Sequence, residues 1–310
     1  MSTVAHELAS LGQSLGPVAQ WDRPLGALTT YRVGGPASLF VEVADEPGLL
    51  AVAEGCAGRD VPVLVLGRGS NLLVADRGFE GLVISLGAGF ETLAIEGRRV
   101  RAGAALSLPV LARQTAAAGL SGLEWAVGVP GSVGGAVRMN AGGHGSDTAA
   151  TLVGYRWVDL TTGSVTESPA SRLEPGYRHT TLAATDAVVW AEHELEPGDP
   201  ARGAAEIAGI VRWRRSHQPG GSNAGSVFAN PEGDSAGRLI EACGLKGFRV
   251  GTAAVSTKHA NFIQADAGGS ADDVLAVMEH VRTAVADATG IVLLPEVRLI
   301  GFSDSAIGAR

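Results

Sequence analysis

Two glycine-rich stretches hold the residues of this chain best placed to do chemistry. The longer runs from Leu123 to Ser146, with seven glycines between Gly128 and Gly145. Glycine lets the backbone take positive φ, or approach a ligand closely, at an entropic cost. Tight surface turns would explain glycines alone. These, however, alternate with Trp125, Val127, Val129, Val133 and Val137, which favour burial. Buried amides need partners, and a large polar ligand lying along the stretch would supply them. The shorter stretch is Gly67-Arg-Gly-Ser-Asn71. Leu72 holds the place of the third glycine of a GxGxxG dinucleotide fingerprint, and no helix follows, so that fingerprint fails. The loop fits a pyrophosphate held by backbone amides in a nest, with Ser70 and Asn71 donating. It equally fits an ordinary glycine turn. Taken singly, other polar residues read blandly: Ser226 as a turn serine, Arg178 as a surface arginine, Glu296 as the ion-pair partner of Arg298 on one strand face.

Hydrophobic patterning indicates the elements that carry these residues. A short amphipathic helix is expected over 2–15, a strand over 38–43, a helix from Glu46 to about Ala57 and a buried strand over 61–66. Residues 72–86 read as strand, turn, strand. A strand over 98–105 and a helix over 107–118 precede the glycine-rich bed. A hairpin follows, Leu152–Leu160 with 164–167, then a strand over 186–195. Proline and glycine at 197–203 suggest a boundary before a helix over 204–216 that ends in Arg212, Arg214 and Arg215. Farther on, a short helix is expected over 235–243. Ser270 can cap a long helix whose buried face repeats through Val274, Met278, Val281, Val285 and Ala288. A last strand is expected over 291–300.

At 310 residues the chain exceeds a single core and suggests two or three domains. The formal net charge of −8 argues against general affinity for nucleic acid or anionic membrane. Cys56 and Cys243 lie far apart, with no CxxC or Cys/His cluster, so no metal is expected and a reduced cytoplasmic setting fits. The first twenty residues lack a long apolar run, so neither a signal peptide nor a membrane anchor is expected.

Read together, the motifs resemble the UDP-N-acetylenolpyruvoylglucosamine reductase (MurB) family. Five pieces occur in the family's order: Thr30-Tyr-Arg-Val-Gly-Gly-Pro-Ala; Gly67-Arg-Gly-Ser-Asn-Leu-Leu-Val; Gly128-Val-Pro-Gly-Ser-Val-Gly-Gly-Ala with Met139-Asn-Ala-Gly; Ala224-Gly-Ser-Val-Phe with Asn230-Pro; and Ala236-Gly-Arg-Leu-Ile with Gly244-Leu-Lys-Gly. Pro295-Glu-Val-Arg completes the set. The short spacing from Asn230 to Ala236 resembles the family's shorter type. Ala229 stands where a lysine is common, and Gln264-Ala265 where Val-Asn is common.

The resemblance implies an α+β protein. It would have a two-subdomain FAD-binding fold of the vanillyl-alcohol oxidase-like type, over 1–90 and 91–214, and a C-terminal α/β substrate-binding domain over 215–310. Non-covalent FAD would place its pyrophosphate on Gly67, Arg68, Gly69, Ser70 and Asn71. Its isoalloxazine would lie near Val129, Pro130, Gly131, Ser132, Gly134 and Gly135. Tyr31, Arg32, Asn140 and Gly142 belong to the same motifs. NADPH would be the co-substrate, and UDP-N-acetylglucosamine enolpyruvate would be reduced to UDP-N-acetylmuramate for cell-wall synthesis. Ser226 would deliver a proton, Arg178 would pair with the substrate carboxylate, and Glu296 would stabilise the enolate. Tyr177, Asn230, Lys246 and His259 would contact the sugar nucleotide. A cytoplasmic monomer is expected. The competing readings are a flavin oxidase acting on an alcohol or sugar, and a flavin or nucleotide binder with a lost active site, for which Ala229 is the one supporting residue.

Overall fold

The computed structural model describes residues 3–303 and Ala306. The chain divides into two compact units built from interleaved segments. The first comprises 1–21, 39–68 and 81–214; the second comprises 22–38, 69–80 and 215–310. Among the described residues no helix is long and apolar enough to cross a membrane.

The first unit has two apolar cores. In one, helices α1 (Thr3–Leu15) and α2 (Glu46–Cys56) supply Leu8, Leu11, Leu49 and Val52. These pack with Leu39, Val41, Leu82 and Ile84 of a sheet ordered Ala19–Pro24, Pro36–Val43, Phe79–Leu86, Val63–Leu66. Ser2, where the expected first helix begins, lies outside the described residues. Asp45 fixes the start of α2 by accepting from Gly48 N at 2.9 Å. The other core lies under a five-stranded sheet ordered Val165–Pro169, Leu152–Asp159, Asp186–Glu194, Arg99–Gly103, Leu93–Glu96. The hairpin expected around Thr161 is its antiparallel edge. Helices α3 (Leu108–Ala117) and α4 (Val133–Met139) pack into this core through Leu111, Ala112, Val133 and Val137. Helix α5 (Pro200–His217) starts inside the stretch read as a boundary, because Pro200 is its first residue.

The second unit has its own core around α6 (Ala236–Ala242) and α7 (Ala271–Thr289). A three-stranded antiparallel sheet, Arg249–Val250, Ala253–Val255 and Ile263–Ala265, lies with them. Helix α7 follows its pattern. Ser270 Oγ accepts from Asp273 N at 3.1 Å, and Gly290 ends the helix at φ +74°. Val274, Met278, Val281 and Val285 are buried as expected, joined by Val277, but Ala288 is exposed. The expected last strand is much shorter. Among the described residues only Arg298–Ile300 of it forms a strand, in parallel with Leu72–Val74. Pro295 has no N–H to give a ladder, and the chain there makes an isolated bridge with Phe228 instead.

Candidate active site

The Gly67–Asn71 loop is shaped by close backbone approach. Gly69 is buried at φ +59°, and a Cβ there would lie 2.4 Å from Leu28 O. Its carbonyl accepts from Thr30 N at 3.1 Å, which ties the loop to the Thr30-Tyr-Arg motif. In that motif Tyr31 is fully buried, and its hydroxyl has no hydrogen-bond partner among the described residues. Burial pushes the phenol well above its ordinary range, so it is a neutral donor. An unmet buried donor costs about 1–3 kcal/mol, which a ligand acceptor would offset. Arg32 follows at φ +57°, its N–H donating to Thr29 Oγ1 at 3.2 Å.

In the first unit, Gly67 lies against the central bed: a Cβ on it would stand 2.6 Å from Ser132 Oγ. Ser132 is buried and caps α4, accepting from Gly135 N at 3.4 Å. The bed therefore contains a short helix that its glycines concealed. Trp125, Val127, Ser132, Val133 and Val137 are buried, whereas Val129, Pro130, Gly131, Gly134 and Gly135 keep accessible surface. The buried indole Nε1 of Trp125 also lacks a partner among the described residues. Part of the glycine content has a packing cause. A Cβ on Gly134 would meet Ala104 Cβ at 2.9 Å, and one on Gly142 would meet Asp147 Cβ at 2.7 Å. Within the first unit, the remaining open backbone and the unpartnered Trp125 indole fit a flavin nucleotide such as FAD.

Asn140 and Gly142 act within the protein. Asn140, buried at φ +40°, donates to Gly176 O and Asp147 Oδ2, both at 3.1 Å, and accepts from Ala149 N at 3.0 Å. Those bonds anchor the turn before Tyr177. Arg178, itself at φ +54°, donates from Nη2 to Gly142 O at 2.8 Å, and its guanidinium lies 5.1 Å from the Tyr177 ring centre. Arg178 is thus held at the bed on a residue with positive φ.

Ser226 and Glu296 are brought onto adjoining backbone in the second unit. Asn223 Oδ1 accepts from Gly225 N at 3.0 Å, forming a turn that presents half-buried Ser226. The next residue, Val227, accepts from Glu296 N at 2.8 Å. Asn71 Nδ2 donates to Glu296 O at 3.1 Å, and Asn71 O accepts from Arg298 N at 2.9 Å. Asn71 thus serves the Glu296 backbone whatever else it binds.

The remaining expected contacts are engaged locally. Asn230 Oδ1 accepts from Ala236 N at 3.1 Å, next to the Ser235 cap of α6. Lys246 Nζ pairs with Glu241 at 2.7 Å. His259 is half-buried; burial first and the Lys246 charge second hold its pKa below the ordinary value. Tyr177 is 62% exposed and Arg68 is also exposed. Gln264, at one departure from the family pattern, donates to Gly220 O at 2.8 Å. Sequence reading missed Asp76 and Asn261, whose roles rest on partners far away in the chain.

Residues 217–300 match the family described as UDP-N-acetylenolpyruvoylglucosamine reductase, C-terminal domain. Residues 37–168 match the family described as FAD binding domain. The UDP-N-acetylenolpyruvoylglucosamine reductase of Rubrobacter xylanophilus is 42% identical over 292 residues, covering 93% of this chain and 97% of that protein. Its counterpart in Heliobacterium modesticaldum is 44% identical over 295 residues, covering 93% of each. The crystal structure of the Thermus caldophilus reductase (MurB) superposes with a TM-score of 0.79 at 35% identity, over 91% of this chain and 98% of that one. The fold is the expected α+β arrangement of an FAD-binding domain followed by the C-terminal domain. On these grounds the chain belongs to the UDP-N-acetylenolpyruvoylglucosamine reductase family.

Proposed function

We propose that the protein uses NADPH to reduce UDP-N-acetylglucosamine enolpyruvate to UDP-N-acetylmuramate, a step of peptidoglycan precursor synthesis. Close relatives carrying that name support the reading. The observation that carries it for this chain is the hydrogen bond from Glu296 N to Val227 O, which sets Ser226 and Glu296 on neighbouring segments. FAD bound on the two glycine-rich beds would relay the electron pair from NADPH to the alkene.

Overall, NADPH and one proton are consumed and the C=C bond becomes saturated. Hydrogen is added with an electron pair at the terminal methylene carbon, and the π electrons shift towards the carboxylate-bearing carbon. Arg178 would hold that carboxylate through its planar fork of donors. Glu296 would stabilise the negative charge that develops beside it. Ser226 Oγ–H would protonate the carboxylate-bearing carbon, and solvent would restore the serine proton. Tyr177, Asn230, Lys246 and His259 would contact the sugar nucleotide. Residues 1–90 and 91–214 would serve as the two FAD subdomains and 215–310 as the substrate domain of a cytoplasmic monomer.

The test is turnover by purified, FAD-loaded protein. NADPH oxidation should require the enolpyruvyl sugar nucleotide and should yield the lactyl ether in equal amount. NADPH oxidation supported equally well by oxygen alone would count against the reading.

A further inference from the structure

We infer that Asn261 is a positioning residue that sets the register of the Ser226 segment against the Glu296 segment. The inference rests on the proposed roles of Ser226 and Glu296. After Ser226 the chain runs as a short extended piece, Val227 to Ala229. On one side it has backbone partners: Glu296 N donates to Val227 O at 2.8 Å, and Ala229 N donates to Leu294 O at 2.9 Å. Phe228 and Pro295 sit opposite each other in an antiparallel bridge. In such a pairing the N–H and C=O of the middle residue point the other way. Phe228 is buried, so both groups need partners there.

Among the described residues no strand supplies them; one side chain does. Asn261 Oδ1 accepts from Phe228 N at 3.0 Å, and Asn261 Nδ2 donates to Phe228 O at 2.8 Å. The carboxamide stands in for a peptide group of a missing strand. Its own backbone carbonyl accepts from Val227 N at 2.9 Å. Asn261 is only 3% exposed, and its N–H donates to His259 Nδ1 at 3.2 Å. From the opposite direction, Asn71 grips Glu296 O and Arg298 N. Glu296 is therefore fixed by Asn71 and Val227, and Val227 is fixed by Asn261. Truncation of Asn261 leaves both polar groups of Phe228 unpaired and frees the piece that begins at Ser226.

Such slack should harm the step that depends on where Ser226 points, and spare the rest. A misplacement of about 1 Å can cost on the order of 100-fold in rate. The holoenzyme is studied by anaerobic stopped-flow, following flavin absorbance, with Ser226→Ala as the reference variant. Asn261→Ala should be reduced by NADPH within about twofold of the wild-type rate. Its reoxidation by saturating enolpyruvyl sugar nucleotide should slow about 10- to 100-fold, with little change in KM. The solvent isotope effect of that step in D2O should rise, because badly aimed proton delivery becomes the slow event. A purely structural Asn261 would lower the melting temperature and leave the isotope effect unchanged, which would overturn the proposal. Equal slowing of both half-reactions would also overturn it. If Asn261→Ala does not fold, Asn261→Ser, which keeps one hydroxyl for Phe228, decides by the same measurements. Should Ser226→Ala leave reoxidation intact, the acid assignment falls and takes this inference with it. Slow reoxidation in Ser226→Ala beside normal reoxidation in the Asn261 variant would remove only the positioning role.

Discussion

Replacing Gly69 with alanine tests whether the Gly67–Asn71 loop owes its shape to backbone contact. The added methyl would lie 2.4 Å from Leu28 O and 2.7 Å from Thr29 Cα. Both are main-chain atoms, so no rotamer change relieves the contact. Gly69 also has φ +59°, a conformation that costs an L-residue about 1–2 kcal/mol. Gly58 is the matched control: its φ is +73°, and a Cβ there meets nothing within 4 Å. The difference between the two variants isolates the clash, about 1–3 kcal/mol for overpacking of this kind. Gly58→Ala should therefore cost about 1–2 kcal/mol and Gly69→Ala about 2–5 kcal/mol in urea unfolding of the apoprotein. If the loop holds the FAD pyrophosphate, its displacement weakens the cofactor as well. Flavin titration should show Kd raised about tenfold or more for Gly69→Ala, about 1.4 kcal/mol, and unchanged for Gly58→Ala. Equal stability loss in the two variants, or unaltered FAD affinity in Gly69→Ala, would refute the reasoning.

Two other residues give stability predictions. Asp76 accepts from Ser270 Oγ, Ala271 N and Asp272 N at 2.5, 2.9 and 3.2 Å, so its carboxylate sits at the positive end of α7. Asp76→Ala should destabilise the protein by about 1–3 kcal/mol, a cap plus its dipole interaction, as measured by denaturant midpoint. His193 is buried, with Nδ1 3.0 Å from Thr151 Oγ1, and burial lowers its pKa from 6.5 to about 4. The folded state thus favours neutral His193, and the unfolded chain binds the extra proton below about pH 6.5. This contribution is fully present above that pH and is lost as pH falls towards 4, by about 3 kcal/mol in all. His193→Gln should flatten the stability profile between those limits, whereas an unchanged slope would place the titration elsewhere.

Local signals made much of the frame legible. Helix α7 showed its cap and its four- and three-residue apolar steps, and the hairpin around Thr161 its turn residues. The absence of a helix after the Gly67–Asn71 loop was legible, and the strand Leu72–Val74 follows it. Helix α4 was hidden because two of its seven residues, Gly134 and Gly135, are poor helix formers; its stability comes from Val133 and Val137 in the core and from the Ser132 cap. The last strand was overextended because apolar residues flank Pro295, and tertiary pairing with Phe228 decided the outcome. Tyr31, Arg32, Ser226 and Glu296 enter the proposed site through their motifs, since nothing in their immediate neighbours marks chemistry. Asp76 and Asn261 left no local trace, because their partners lie 194 and 33 residues away.

The most direct test separates the two halves of the reaction in Ser226→Ala. Ser226 is assigned to protonating the substrate carbon and has no part in the transfer from NADPH. Anaerobic stopped-flow on the FAD-loaded variant should therefore show flavin reduction by NADPH near the wild-type rate. Reoxidation by UDP-N-acetylglucosamine enolpyruvate should slow by roughly 10²–10⁴-fold, the usual worth of a positioned acid. Equal slowing of both steps would mean that Ser226 only shapes the site, and unchanged reoxidation would remove it from the mechanism.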